Sequence, residues 1–410
     1  MEIRPILSAL LRSKTGPVLV AIQVALSMAI LANALHVVNV RQQISARPSG
    51  VEDEQSVIFM RVRNLDKPGP EGVIANREHE LAVLRAVPGV ASVAEINQIP
   101  LTRSGSSNSF VADRKQLQQV GSAATYDTPG GLVKTWGLKL VEGRDFVPGD
   151  FMNFDPEKDT DGPRNVIITT TMAKKLFPDG HAVGKIMYNG TGEGAFEMQV
   201  IGVVERLQAP WAQTDESGEY SEIRPMRHLG SNSTFYTLRV EPGQLERVMR
   251  EAEEALRRGS PVPKIIKSQG LAQQRVECYR GDRALSLMLI AVSSLLLLIT
   301  SSGIVGMASL WVTQRRKQIG VRRALGARKA DILRYFVTEN LLITSGGVFA
   351  GVLLALAMND LMVRKLEMAR LPPGYLVAGA GLLWALGIAA VYGPAWRAAS
   401  ISPATATRTT

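Results

Sequence analysis

The chain has 410 residues, 46% hydrophobic and 20% charged, a length and balance that suit two domains, one soluble and one in a membrane, better than one compact globule. Its formal net charge of +10 is unevenly spread: Arg41–Arg283 carries 31 Lys/Arg against 32 Asp/Glu, a net of −1, and the remainder 16 against 5, a net of +11. The basic excess therefore belongs to the apolar ends, where it marks membrane orientation. With no basic run interleaved with aromatics in the polar middle, nucleic-acid binding is excluded.

Residues 1–40 read as a cytoplasmic amino terminus and a first transmembrane helix. Arg4, Arg12 and Lys14 precede an apolar stretch from Pro17 to Val38. That pattern, with Ala32-Asn33-Ala34, also describes a signal peptide, but the stretch exceeds an ordinary signal core and contains Gln23, so an uncleaved anchor fits better.

Residues 41–283 read as an extracytoplasmic α+β domain. Val57–Val62 has strand character, Asn76–Val87 is an amphipathic helix, and Val90–Ile96 is a strand. The same order recurs at Thr234–Val240, Gln244–Arg258 and Lys264–Ser268. Two strand-helix-strand units predict a split, ferredoxin-like lobe over residues 55–100 and 233–270, with a second lobe inserted at 101–232 and a stalk at 270–283. The insertion has strands at Asn165–Thr169 and Phe196–Val204. Gly180–Ile186 approaches a phosphate-loop pattern, but its spacing is one residue short and Ile186 stands where a hydroxyl is needed, so a turn is the better reading. The serines of Ser104–Ser109 lack a His and carboxylate pair and read as a flexible loop. Lone Cys278 makes no internal disulfide, and His36, His79, His181 and His228 have no metal-ligand spacing. No catalytic residue, cofactor or metal site is predicted.

Residues 284–410 carry three more spans. Ala284–Val312 is uncharged over about 29 residues, where roughly 20 suffice to cross the hydrocarbon layer; Leu341–Met358 and Tyr375–Ala395 complete the set. Eight Lys/Arg between Arg315 and Arg334 place the loop at 313–334 in the cytoplasm, together with both termini. Within that loop Ile319, Val321, Ala324 and Leu325 predict an apolar stripe on a short helix that Gly326 caps. Such a loop either docks on a partner or only fixes topology and touches anionic lipid. Gly347 and Gly351 form a small-xxx-small face, packing within one subunit or between two. Glu339 and Asn340 read as a polar latch at the membrane boundary.

Thr128–Arg206 resembles the periplasmic core domain of MacB-type permeases. The matching residues are Gly131, Gly137, Leu140, Gly143, Arg144, Asp145 and Phe146, then Ala173, Leu176, Phe177, Val183, Gly184 and Lys185, then Ile201, Gly202, Val203 and Val204. Arg315–Leu333 and Pro394–Arg408 are similar to the signature loop and tail of FtsX-type permeases. The resemblance implies an inner-membrane permease subunit of an ABC-type efflux machine: four transmembrane helices plus a two-lobed α+β domain in the periplasm, pairing with a second permease subunit as homodimer or heterodimer. It further implies that ATP is bound by a separate ATPase subunit, since no GxxxxGK[ST] sequence occurs here, and that motion is passed outward by mechanotransmission, with a periplasmic adaptor or outer-membrane duct as further partners. A transmembrane regulator of a cell-wall hydrolase and a lipoprotein-release permease are its alternatives. By resemblance the coupling residues are Arg315, Arg316, Lys317, Gln318, Ile319, Gly320, Arg322, Arg323, Leu325 and Gly326; Gln318 departs from the Glu usual in the family's "REIG" sequence.

Overall fold

The computed structural model describes residues 15–400 apart from Lys67, residues 212–214, Pro261 and residues 367–368. Arg4, Arg12, Lys14 and Arg408 of the topology reading lie outside the described residues. Chain contacts divide the protein into two compact units, one of the residues up to Gln43 with those from Asp282 onward, the other of Ile44–Gly281.

The first helix, α1 (Thr15–Ser45), is followed in the second unit by β1 (Val57–Asn64), α2 (Pro70–Arg85) and β2 (Val90–Ile96). The helix expected from Asn76 begins six residues earlier because Pro70, at its first turn, has no N–H to leave unpaired, while Glu71 complements the helix dipole. Next come β3 (Ser107–Val111), β4 (Gly121–Asp127), α3 (Leu132–Trp136), β5 (Leu140–Gly143), β6 (Met152–Phe154), β7 (Asn165–Thr169), α4 (Thr170–Leu176), β8 (Ile186–Asn189) and β9 (Phe196–Val204). The unit closes with β10 (Ser221–Arg224), β11 (Met226–His228), β12 (Ser233–Val240), α5 (Leu245–Arg258), β13 (Lys264–Gly270) and α6 (Leu271–Cys278).

Four of these strands form an antiparallel sheet in the order β13-β1-β12-β2. Alternation along β1 sends Ile58, Met60 and Val62 to one face, against Leu81 and Leu84 of α2 and Val248, Ala252 and Leu256 of α5. Val57 and Phe59 point the other way, into a core shared with a second sheet. That sheet runs β5-β9-β7-β10-β4-β3-β8, and β8 returns to pair with the first half of β9, so most of it closes on itself around Phe110, Val166, Ile168, Met187 and Met198. Trp136 joins the shared core: its indole N–H donates to Thr237 Oγ1 at 2.7 Å, and Tyr126 meets it edge-on at 5.7 Å. Gly143 explains the glycine of the Gly-Arg-Asp-Phe segment, since φ is +75° and a Cβ there would lie 2.1 Å from the Ile201 carbonyl oxygen.

The first unit holds α1 with α7 (Arg280–Gln314), α8 (Arg316–Ala324), α9 (Lys329–Leu366) and α10 (Pro373–Ala399). Four of them, α1, α7, α9 and α10, are long and apolar enough to cross a membrane. At 1.5 Å per residue the 35 residues of α7 extend about 50 Å, well beyond a hydrocarbon core of about 30 Å. Between helices some polar groups find partners: the Ser27 and Thr300 hydroxyls meet at 2.7 Å, and Asn33 Nδ2 donates to the Ala355 carbonyl at 3.2 Å.

Gly347 and Gly351 pack against α1 of the same chain. A Cβ on Gly347 would lie 2.7 Å from the Ala21 carbonyl oxygen, and one on Gly351 would lie 2.6 Å from Met28 Cβ and 2.8 Å from the Ala25 carbonyl oxygen. Neighbouring Gly346 faces open space. Since either glycine-to-alanine change favours the helix itself by about 1 kcal/mol, the difference between the two isolates packing. Gly351→Ala should therefore be less stable than Gly346→Ala by the roughly 1–3 kcal/mol that overpacking typically costs, read as a lower unfolding temperature of the detergent-solubilised chain. Equal shifts for both would mean that the close approach of α1 and α9 is not needed.

Candidate functional site

The loop at 313–334 is a built arm. Its helix, α8, starts after Arg315 and ends in a left-handed turn: Gly326 has φ of +96°, its N–H donates to the Arg323 carbonyl at 3.2 Å, and the Ala327 N–H reaches back to the Arg322 carbonyl at 3.0 Å. These two bonds satisfy carbonyls that a helix end leaves open, and only glycine takes that φ without steric cost. One face of α8 is fastened to α9. Arg315 Nη1 donates to both oxygens of buried Glu339, at 2.9 and 2.8 Å, and to the Tyr335 hydroxyl at 3.3 Å. Ile319 is buried with Ile332 and Phe336, and the Arg322 guanidinium lies 5.2 Å from the centre of the Tyr335 ring. Gly320 is buried and Arg323 half-buried, its Nη1 donating to the Ala327 carbonyl.

The other face points to solvent. Arg316, Lys317, Gln318 and Ala324 are exposed, Val321 is 52% exposed and Leu325 is 82% exposed. The expected apolar stripe is thus divided: Ile319 turns inward because α9 offers Ile332 and Phe336 beneath it, while Val321 and Leu325 remain outside. Sequence reasoning placed Glu339 at the boundary and missed Arg315 as its partner, although a buried carboxylate next to a membrane needs a cation within reach.

A second set of charged groups went unpredicted. In the second unit Glu95 of β2 accepts from Arg77 Nη1 at 2.8 Å and Arg227 Nε at 2.9 Å. Asp127, at the end of β4, accepts from Arg224 Nε on Oδ1 at 2.7 Å, while its Oδ2 pairs with His228 Nε2 at 2.8 Å and accepts from Asn97 Nδ2 at 3.0 Å. Burial works to raise the Asp127 carboxyl, but Arg224 and His228 outweigh it and hold it below the usual carboxylate range. Fully buried Glu222 behaves oppositely: burial and the negative charge of Asp127 prevail over Arg224, Thr125 and Asn189 and push it up to about 7. A cleft of about 350 Å³ opens beside Glu95, Asp127, Arg227 and His228. Their charges are engaged with one another, and the ensemble stitches the two sheets together.

Gly180–Ile186 forms a turn whose Gly184 N–H donates to the Val200 carbonyl, with Lys185 over the Phe177 ring. Among the described residues no group of three His, Cys, Asp or Glu side chains is placed to hold a metal ion.

Comparison with known proteins adds to this geometry. Residues 20–255 match the model of the MacB-like periplasmic core domain, and residues 290–403 that of the FtsX-like permease C-terminal region. The macrolide export ATP-binding/permease protein MacB of Chromobacterium violaceum is 28% identical over 65% of this chain and 40% of its own length. The pyoverdine export ATP-binding/permease protein PvdT of Pseudomonas syringae pv. syringae is 26% identical over 89% of this chain and 52% of its own. The chain therefore spans about half the length of these relatives, or less. The crystal structure of the periplasmic region of MacB from Actinobacillus actinomycetemcomitans, 15% identical, aligns over 58% of this chain and 98% of that one at a TM-score of 0.32, which adds nothing to the assignment. With the core-domain model covering more than half of the chain and a permease model covering three of the four membrane-crossing helices, this is a membrane protein with an extracytoplasmic domain and belongs to the MacB/FtsX-type family of ABC permeases.

Proposed function

We propose that the chain is an efflux permease subunit of the cell inner membrane, paired with a second permease subunit, whose α8 arm docks on a separate ABC ATPase and passes ATP-driven motion to the periplasmic domain. ATP is bound by that partner. The observation that carries this reading is the arm's two-sidedness: one face is bonded to α9 through Arg315, Ile319 and Arg322, and the other offers Val321 and Leu325 beside Arg316 and Lys317. A push received on the outer face is transmitted to a membrane helix because the inner face is fixed. Efflux is favoured over hydrolase activation or lipoprotein release by the relatives named as macrolide and pyoverdine exporters.

We read residues 41–283 as the periplasmic domain, with a ferredoxin-like lobe at 55–100 and 233–270, an inserted lobe at 101–232 and a stalk at 270–283. The strand order β13-β1-β12-β2, with α2 and α5 on one face, supports the first lobe.

The test is co-purification with the ATPase, and ATP turnover of the complex. Burying Leu325 in a partner is worth about 1.5–3 kcal/mol, so Leu325→Asp should reduce both at least about tenfold. Arg316→Glu with Lys317→Glu should do likewise without disturbing the contacts of Arg322 and Arg323 to their own chain. Leu117→Asp, at an 85% exposed position of the periplasmic domain outside any site described, is the control. If the arm variants insert, assemble and turn over ATP like the control, the arm is only a topology signal.

A further inference from the structure

One face of the sheet β13-β1-β12-β2 lies under α2 and α5, and on the other face the row containing Thr237 is covered by Trp136. The next row is open. In it Arg61 of β1 stands directly opposite Lys267 of β13 on one side and Phe235 of β12 on the other. Like charges facing each other across neighbouring strands repel, and here both are exposed. Arg61 donates to Ser233 Oγ at 3.3 Å and lies 5.6 Å from the centre of the Phe235 ring, neither of which supplies negative charge.

A cleft of about 420 Å³ opens in front of this row, and among the described residues no carboxylate lines it. Glu253, which accepts from the hydroxyl of nearby Ser268, belongs to α5 and so to the helices packed on the opposite face. The far wall is the segment between β2 and β3, of which Thr102, Ser104 and Ser106 line the cleft. That wall is fixed. Gln98 Oε1 accepts from the Ser106 N–H at 2.5 Å, the Arg103 N–H donates to the Pro210 carbonyl at 2.7 Å, and the Arg103 guanidinium holds the Cys278 carbonyl. Leu101 and Arg103 adopt φ of +66° and +67°, a left-handed conformation that costs non-glycine residues energy and persists only where surrounding bonds enforce it.

We propose that this cleft binds a small organic anion, its acid group between Arg61 and Lys267 and its apolar body against Phe59, Ile99 and Phe235. Three observations converge on that chemistry: two facing cations without a counter-charge among the described residues, apolar side chains behind them, and a rigid wall that carries the hydroxyls of Ser104 and Ser106. The volume falls within the usual range of small-molecule sites, about 300–1,000 Å³. The site is independent of the arm, and its variants leave α8 unaltered.

The experiment uses the full chain in lipid nanodiscs and para-trifluoromethylbenzoate as probe, read by fluorine NMR line broadening, with empty nanodiscs subtracted. The wild-type protein should broaden the line saturably, and the neutral para-trifluoromethylbenzamide should bind at least about tenfold more weakly, the loss of one charge-assisted contact. Arg61→Gln with Lys267→Gln should weaken benzoate to the same degree, whereas Arg257→Gln with Arg258→Gln on α5 should not. Equal broadening by amide and acid on the wild-type protein, undiminished benzoate binding by the double glutamine variant, or no saturable broadening up to about 10 mM would each overturn the proposal.

Discussion

Replacing Arg224 by alanine is expected to destabilise the unit Ile44–Gly281 by about 3–5 kcal/mol, the range found when one partner of a buried ion pair is removed. Arg224 and Asp127 are register partners on the parallel strands β10 and β4, so their bonds, at 2.7 and 3.0 Å, are set by the sheet itself. Without the guanidinium, Asp127 keeps only His228 and Asn97, and Glu222 loses a cation 3.9 Å away. Both carboxyls stay buried. The Lys139–Glu205 pair is nearly as short, at 2.9 Å, but solvent-exposed on both sides, so Lys139→Ala should leave stability unchanged within error. Pulse proteolysis of the full detergent-solubilised chain along a urea series measures both. Matching midpoints for the two variants would show that the buried cluster contributes nothing to the fold.

The second large effect depends on pH. Glu222 titrates at about 7 in the folded chain against an ordinary 4.5, so between those values the folded state holds a proton that the unfolded state has released. Stability therefore falls as pH rises through this window, by about 1.4 kcal/mol for each pH unit crossed, or roughly 3 kcal/mol in all. Glu222→Gln removes that titration while keeping an oxygen to accept from Thr125 Oγ1 and Asn189 Nδ2. The variant should gain roughly 2–3 kcal/mol on the wild type between pH 5 and pH 8. Whatever the new amide N–H groups cost is the same at both pH values and cancels in that comparison. Asp127 works in the opposite sense, its folded value being depressed. Its contribution is present above the unfolded value of 3.8 and is lost only below it, outside the pH 5 to 8 window. A variant effect identical at pH 5 and pH 8 would show that Glu222 is ionised throughout.

What could be read from the sequence was local. Ala284–Val312 announced a span by its lack of charge, and β7 and β9 occupy the residues where runs of Val and Ile placed strands. The cap at Gly326 was legible for the same reason, since a glycine after a short basic helix has one common use. The inward turn of Ile319 was not, because nine helical residues do not say which apolar side chain will find a partner on α9. Nor was the closed sheet: β4 and β10 pair in parallel although Asp127 and Arg224 lie 97 residues apart, and β8 is four residues long. The charged cluster of Glu95, Asp127, Arg224 and Arg227 is assembled wholly by that topology, so no spacing in the chain foretells it.

The grip of Gly347 and Gly351 on Ala21–Met28 has a consequence for how the protein is made. Those partners are separated by more than three hundred residues, and a ribosome adds about 5–20 residues per second, so α1 waits roughly 15–60 s before the helix that embraces it exists. For most of that interval Ser27 lacks Thr300, and for all of it Asn33 lacks the Ala355 carbonyl, to receive it away from lipid. The newborn helix must be sheltered by the insertion machinery or tolerate that exposure, and the unit Ile44–Gly281 has time to fold before the membrane part is finished.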